Sequence, residues 1–325
     1  MKNEKRKMRK EDFRIVYMGT PDFAVESLRA LVEGGYNVVA VVTMPDKPIG
    51  RHGSVLQPSP VKQYALEQGL KVMQPEKLKD PEFVEELRAL KADLQIVVAF
   101  RMLPEIVWSM PPYGTFNAHA SLLPKYRGAA PINWAVINGE TETGITTFFL
   151  KHEIDTGDII QQVRIPIEET DNVEVVHDKL MMLSGKLVTE TVDNILAGTV
   201  TSIPQDQFKD VPLTPAPKIF RETCRINWNQ STKRIYDFIR GLSPYPAAWT
   251  TLNGKAVKIY EAGKESATPP SCTPGTIITD GKNNLKVATA DGWLNIRTLQ
   301  LEGKKRMPVT DLLRGLKFND NAFFL

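Results

Sequence analysis

The chain is expected to be an α/β protein that carries a second, all-β unit at its C-terminal end. Three observations predict this. Its 325 residues are long for a single hydrophobic core, so two domains are favoured. Over roughly the first 200 residues, short β-branched apolar runs alternate with segments of helical spacing, the order that builds a sheet between helix layers. Beyond a proline-punctuated stretch the hydrophobic period falls to two, with turn dipeptides between the runs.

Residues 14–18 are a short apolar run ending at Gly19, and residues 22–32 follow with helical spacing at Phe23, Leu28, Leu31 and Val32. Residues 38–42 and 94–99 are apolar runs suited to strands buried on both faces. Residues 144–150 and 159–165 read as further strands, and residues 174–196 as a long amphipathic helix. The sheet is therefore expected to be largely parallel. Pro204, Pro212, Pro215 and Pro217 then punctuate a polar stretch, the composition of an extended linker.

After the linker, residues 231–240 offer a short helix with Ile235, Phe238 and Ile239 on one face. Residues 249–252 and 256–261 are joined by Asn253-Gly254, a strong hairpin signal. Residues 276–279, 285–288 and 293–301 follow, separated by Asp280-Gly281 and Asp291-Gly292. So many short strands in so little chain suggest a small barrel. The expected division is an α/β domain over residues 1–203, a linker over 204–217 and a C-terminal domain over 218–325.

Composition narrows the class. A hydrophobic fraction of 42% and a charged fraction of 24% are ordinary for a globular protein. No apolar run approaches the ~18–20 residues of a membrane span, so no membrane association is expected. The basic start is followed by too short an apolar run for a signal peptide, and Glu4, Glu11 and Asp12 argue against a transit peptide. The expected location is cytoplasmic. Cys224 and Cys272 lie far apart without Cys-x-x-Cys spacing, so neither a disulfide framework nor a zinc site is expected. The net charge of +3 conceals an asymmetry: residues 209–325 hold 18 Lys plus Arg against 10 Asp plus Glu, a balance of +8 that leaves −5 elsewhere. A polyanion met at one end of the molecule would explain that split.

Gly19-Thr20-Pro21-Asp22 closes the first strand, where a dinucleotide-binding fold carries three glycines; only one is present, and no P-loop occurs. Of the four histidines, His52, His119, His152 and His177, none is spaced to share a metal. His119 differs by its neighbours. Asn117 and His119 are two residues apart on one strand and project from the same face. They stand at the C-terminal strand end, where open α/β sheets bind ligands. Asp155 lies in a turn between two strands that can reach the same edge. A carboxamide beside an imidazole suits acyl transfer, because prepositioned donors stabilise the oxyanion that builds on an attacked carbonyl. A nearby carboxylate favours the charged, proton-donating ring. No Cys or Gly-x-Ser-x-Gly nucleophile accompanies them, so a covalent acyl-enzyme is not expected.

Asn117-Ala118-His119, Ser121-Leu122-Leu123-Pro124 with Arg127-Gly128-Ala129-Ala130-Pro131, and Asp155-Thr156-Gly157-Asp158 together resemble the folate-dependent formyltransferases. Residues 18–24, 46–51 with 58–62, and 242–249 resemble the branch of that family that acts on methionyl-tRNA. The resemblance runs from Arg14 onward. It implies a Rossmann-like formyltransferase domain that binds 10-formyltetrahydrofolate, followed by an OB-like barrel that helps hold tRNA. The implied reaction moves a formyl group from that reduced folate to the α-amine of methionyl initiator tRNA, in service of translation initiation. Its catalytic residues fall on Asn117, His119 and Asp155. Folate contacts fall on Ser121, Leu122, Leu123 and Pro124, and the pterin pocket on the backbone of Phe100, Arg101, Met102 and Leu103. Arg51, with Lys47, sits where the family has a loop approaching the tRNA acceptor end. Lys304, Lys305 and Arg306 form the densest basic cluster of the barrel and are expected to meet phosphate.

This chain departs from the family pattern at Ala120, where Gly is frequent, and at Phe100-Arg101-Met102, where a Tyr-Gly pairing is usual. After Arg51 it reads His52-Gly53-Ser54-Val55-Leu56 in place of a lysine-rich run. Two other readings stay open. One is formyl transfer to a small amine, such as a glycinamide nucleotide or an amino sugar, which needs no basic barrel. The other is a non-catalytic RNA-binding protein, which needs no intact triad.

Overall fold

The computed structural model describes residues 8–50, 53–265 and 270–325; Arg51 and His52 lie outside the described residues. Two compact units are built from interleaved segments. The first takes the described residues of Met1–Gly128, Gly144–Ile165 and His177–Pro215. The second takes those of Ala129–Thr143, Pro166–Val176 and Ala216–Leu325.

The elements up to the end of the long helix are β1 (Arg14–Gly19), α1 (Phe23–Glu33), β2 (Asn37–Val42), β3 (Lys47–Ile49), β4 (Val55–Gln57), α2 (Pro60–Glu67), β5 (Val72–Met73), α3 (Pro81–Ala89), β6 (Leu94–Val98), α4 (Glu105–Trp108), β7 (Thr115–His119), β8 (Arg127–Gly128), α5 (Pro131–Ile137), β9 (Glu142–Phe149), β10 (Ile159–Pro166) and α6 (Val173–Ala197). Seven strands form one sheet in the order β10-β9-β7-β6-β1-β2-β5. The pairs from β5 through β7 are parallel, and β9 joins β7 antiparallel. The largely parallel expectation thus holds for the centre, with an antiparallel step beside β7. Every residue of β6 is buried, as its uninterrupted apolar run requires of a strand covered on both faces. Helix starts follow local capping chemistry: the Asp22 carboxylate accepts from the Phe23 amide, and Ser59 Oγ accepts from the Lys62 amide with Pro60 in the first turn.

Strand order reverses at β1, with β2 and β5 to one side and β6 and β7 to the other. The C-terminal ends of β1 and β6 therefore flank a topological switch point, the crevice in which such sheets hold ligands. Gly19 closes β1 there because a Cβ would come within 2.7 Å of Ala24 Cβ and 2.9 Å of the Val98 carbonyl. Ala99, just past β6, is held at φ +47°, a conformation that L-residues rarely adopt.

The second unit adds β11 (Pro215–Ala216), which begins in the first, then α7 (Thr232–Leu242), β12 (Ala248–Leu252), β13 (Lys255–Glu265), β14 (Ile277–Thr279), β15 (Leu285–Ala288), β16 (Trp293–Leu301), β17 (Met307–Pro308) and α8 (Val309–Gly315). Its antiparallel sheet runs β12-β13-β16-β15-β14, with β17 also on β16. Asn253 and Gly254 both take positive φ, 50° and 78°, as the tight turn between β12 and β13 demands. The edges of this sheet do not stay open. Thr251 on β12 exchanges two 3.0 Å hydrogen bonds with Leu325, while Ile277 on β14 donates to the Ala322 carbonyl at 2.9 Å. The last four residues thus bridge both edge strands and close the sheet.

Phe324 stacks on Trp228 within a core that also takes Ile235, Ile239 and Leu242 from α7 and Ile137 from α5. Helices α5 and α7 approach closely at Gly241, where a Cβ would lie 2.5 Å from Ile137 Cγ1. Asn133 Nδ2 donates to the Gly241 carbonyl at 2.9 Å across the same contact. The buried Arg240 pairs with Asp237 at 2.8 Å and donates to the Asp171 carbonyl at 2.9 Å, so its charge is partnered rather than stranded.

The proline-rich stretch behaves unlike a free tether. Ile203 bridges Ile159 of β10, and Phe208 packs on Leu123, Phe148 and Ile159. The Tyr126 amide donates to the Thr214 carbonyl at 2.6 Å. Composition registers the prolines, but these contacts are made with residues distant in sequence. No described helix is long and apolar enough to cross a membrane.

Candidate active site

Strand β7 delivers Asn117 and His119 to its C-terminal end, with Asn117 level with Val97 of β6 and His119 level with Thr146 of β9. His119 is only 7% exposed. Its Nε2 lies 2.8 Å from the Tyr126 carbonyl oxygen. A carbonyl can only accept, so Nε2 carries a proton. The other nitrogen, Nδ1, faces Asp155 Oδ2 at 3.9 Å, and the Phe148 ring meets the imidazole edge-on. Nδ1 donates only when the ring is doubly protonated, and the carboxylate then faces that charge.

Asp155 occupies the turn between β9 and β10 at φ +55°. Left-handed backbone is unfavourable for an L-residue by about 1–2 kcal/mol, though Asp is among the residues that visit it. The turn is held from two sides. The Gly128 amide donates to Asp155 Oδ2 at 2.9 Å. Gln205 Nε2 donates to the carbonyls of both Asp155 and Gly157 at 2.8 Å. Gly157 is required: a Cβ there would fall 1.5 Å from the Phe149 carbonyl oxygen.

Asn117 Oδ1 is buried without a hydrogen-bond partner among the described residues. Such a group is unfavourable by about 1–3 kcal/mol, and an orphan near the C-terminal end of a sheet strand marks a place for a ligand donor. The carboxamide can accept at Oδ1 and donate through Nδ2, which fits a reaction between an amine and a carbonyl.

Three consecutive residues organise the centre. Tyr126 holds His119 through its carbonyl, Arg127 engages Gln205, and Gly128 holds the Asp155 carboxylate. Beside the turn opens a cleft of about 690 Å³, with Trp108, Leu150 and Phe208 on its apolar side and Arg127, Lys151 and Lys209 among its cations.

The other residues singled out in the sequence are placed unevenly. Ser121, Leu123 and Pro124 are buried, and only Leu122 keeps part of its side chain accessible. Ser121 Oγ donates to the Lys125 carbonyl at 2.8 Å, and its own carbonyl accepts from Thr146 Oγ1 at 2.7 Å, so this segment braces the loop after His119. Near the switch point Met102 is 73% exposed, Phe100 is half-buried and Leu103 belongs to the core. Arg101 turns back onto the carbonyls of Pro75 and Glu76, and burial pushes its guanidinium below its ordinary pKa. Lys47 is exposed on the β3–β4 hairpin, whose described residues Ile49, Val55 and Leu56 are exposed as well. Lys304 and Lys305 are exposed, while Arg306 lies over the Tyr260 ring at 4.2 Å. His152 sits on the surface beside Glu105, at 3.4 Å, and His177 beside Asp178, at 3.0 Å. Sequence reasoning missed Gln205 and the Tyr126 carbonyl. A glycine two residues after Asp155 was the available sign of a constrained turn.

The family model described as Formyl transferase matches residues 13–192, and that described as Formyl transferase, C-terminal domain, matches residues 218–317. The chain is 69% identical over 317 residues to the methionyl-tRNA formyltransferase of Parabacteroides distasonis, covering 95% of this chain and 98% of that one. It is 68% identical over 319 residues to the protein of the same name from Bacteroides fragilis, covering 96% and 98%. Among solved structures, WlaRD, a sugar 3N-formyl transferase, matches with a TM-score of 0.65 at 19% identity over 90% of this chain and 99% of that one. HypX from Aquifex aeolicus in complex with tetrahydrofolic acid matches with a TM-score of 0.62 at 19% identity over 94% of this chain, which spans 48% of HypX. At these identities the structural matches speak for the fold.

Proposed function

The chain belongs to the formyl transferase family, and from that premise we propose that it carries a formyl group from 10-formyltetrahydrofolate to the α-amine of methionyl initiator tRNA. The observation that carries the chemistry is the unpartnered Asn117 carboxamide oxygen beside the His119–Asp155 pair at the ligand edge of the sheet. The amine needs no strong base, since an α-amino group has a reference pKa near ~7.7–8.0 and is partly neutral at pH 7. Its nitrogen bonds to the formyl carbon, the bond from that carbon to the folate nitrogen breaks, and a proton passes from the amine to that nitrogen. Asn117 Nδ2 donates to the oxyanion formed on the way, as does His119 through Nδ1 of the doubly protonated ring, its Nε2 being held by the Tyr126 carbonyl. Asp155 faces the charged ring at Nδ1, and through water it handles the moving proton.

The reduced folate is read along Phe100, Arg101, Met102 and Leu103 and the loop from Ser121 through Leu122 and Leu123 to Pro124. The exposed Met102, the strained Ala99 and the switch-point crevice support this reading. The C-terminal unit is read as an OB-like barrel, supported by its antiparallel sheet and by the last residues bridging both edges. Within the chain, residues 1–203 are assigned the catalysis and residues 218–325 the tRNA, with residues 204–217 between them. Lys47, Arg51, Lys304, Lys305 and Arg306 are assigned to tRNA contact, and the enzyme to the cytoplasm. The deciding assay is formyl transfer to methionyl initiator tRNA, with uncharged tRNA and small amines as parallel acceptors. Label appearing only on small amines overturns the assignment.

Replacing Lys304 and Lys305 by alanine is expected to weaken binding of all tRNAs. Removing a lysine–phosphate pair should also flatten the salt dependence, by roughly 0.7–0.9 of a logarithmic unit in slope for every phosphate set free. The KM for folate should not move. Titrations across a salt series test this, and an unchanged slope removes these lysines from the RNA surface.

A further inference from the structure

We infer that Gln205, in the stretch whose composition reads as a linker, is a positioning residue that acts on formyl transfer through Asp155. The inference rests on the catalytic reading of Asp155 given above.

Gln205 is 6% exposed, and the hydrogen bonds of its side chain are directed at the catalytic turn and at Arg127. Nε2 donates to the carbonyls of Asp155 and Gly157, each at 2.8 Å. Oε1 accepts from Arg127 Nε at 3.1 Å and from Nη2 at 2.7 Å. Two carbonyls can only accept and a guanidinium can only donate, so the amide has one orientation here. The residue after Arg127 closes the circuit, because the Gly128 amide donates to Asp155 Oδ2 at 2.9 Å. Asp155 therefore sits inside a ring of contacts: its carboxylate is tied to Gly128, its carbonyl to Gln205, and Gln205 to Arg127.

Asp155 needs such bracing. Its φ of +55° is sparsely populated for residues with a side chain, and such conformations persist where surrounding contacts over-determine them. The 3.9 Å between Asp155 Oδ2 and His119 Nδ1 is set by where this backbone holds the carboxylate. Gln205 is in turn placed by the segment around it. Pro204 starts the short 3-10 turn Gln205–Gln207, Ile203 bridges Ile159, and Phe208 packs on Leu123, Phe148 and Ile159.

Gln205→Glu separates this role from simple packing. Glutamate keeps the side-chain length and the Arg127 partner but lacks both N–H donors to the turn. The kcat is expected to fall about ten- to a hundredfold, the scale of a misplacement near 1 Å, with the KM for each substrate within about twofold. In an Asp155→Asn background the same change should lower single-turnover formylation no further, because the group it acts through is already gone. If the buried carboxylate prevents folding, Gln205→Met supplies an uncharged side chain of similar size that also lacks the donors, and the same cycle is run with it. Undiminished kcat in these variants overturns the inference, as do reductions that add fully to that of Asp155→Asn. A wild-type chain that fails to formylate methionyl-tRNA overturns the functional reading instead.

Discussion

Alanine at His119 or Asn117 is expected to lower kcat about a hundred- to a thousandfold, the usual effect of losing one oxyanion donor. For Asp155→Asn a fall of similar size is expected by another route. Asparagine keeps an oxygen for the Gly128 amide, which now bonds Asp155 Oδ2 at 2.9 Å, so the turn should survive. What disappears is the negative charge facing His119 Nδ1. Binding of folate and tRNA should change far less than turnover, since none of the three substitutions removes a large contact surface. Steady-state kinetics with each substrate varied, beside thermal unfolding of each variant, make the measurement. Near-normal turnover in the Asp155→Asn protein is incompatible with the mechanism.

Gly157→Ala should be nearly as damaging although it removes no functional group. The added methyl carbon would sit 1.5 Å from the Phe149 carbonyl oxygen and 2.7 Å from its carbonyl carbon. Both are backbone atoms of the adjoining strand and cannot swing aside. Either the turn or the end of β9 has to shift by more than about 1 Å, and a displacement of that size alone can reduce a rate about a hundredfold. Overpacking adds roughly 1–3 kcal/mol of destabilisation, visible as a lower Tm. Gly315→Ala is the matched control, because a Cβ there meets nothing among the described residues within 4 Å. Wild-type activity and Tm in Gly157→Ala would mean that the turn is not held as described.

Much of the fold is legible where local pattern and tertiary demand agree. The apolar runs of β2 and β6, the period-two strands of the C-terminal unit and the Asn253-Gly254 turn all announce themselves within a few residues. So does the shared face of Asn117 and His119, because alternation along a strand is a local rule. Legibility fails where partners are distant. Gln205 is 50 residues from Asp155 and 78 from Arg127, and no local period marks it. The prolines around it suggest an exposed tether, yet they are compatible with a strap whose one buried amide bonds the turn at Asp155. The β3–β4 hairpin leaves no mark in the sequence because strands of three residues carry too little alternation to register. Phe324 shows no strand pattern of its own, and its burial depends on a core assembled from α7 and the strands of the C-terminal antiparallel sheet.

The interleaving of the two compact units bears on how such a chain can exchange parts with its relatives. Residues Ala129–Thr143 and Pro166–Val176 are encoded among the segments of the first unit but belong to the second. A chimera joined once, near residue 216, would set Ile137 and Asn133 of one parent against the Gly241 of another, at a contact where a single Cβ would be 2.5 Å away. Recombination that respects the packing has to carry three separate stretches together. A single crossover is therefore a poor way to join the seven-stranded sheet of one parent to the second unit of another, and drift in α5 and α7 has to be matched.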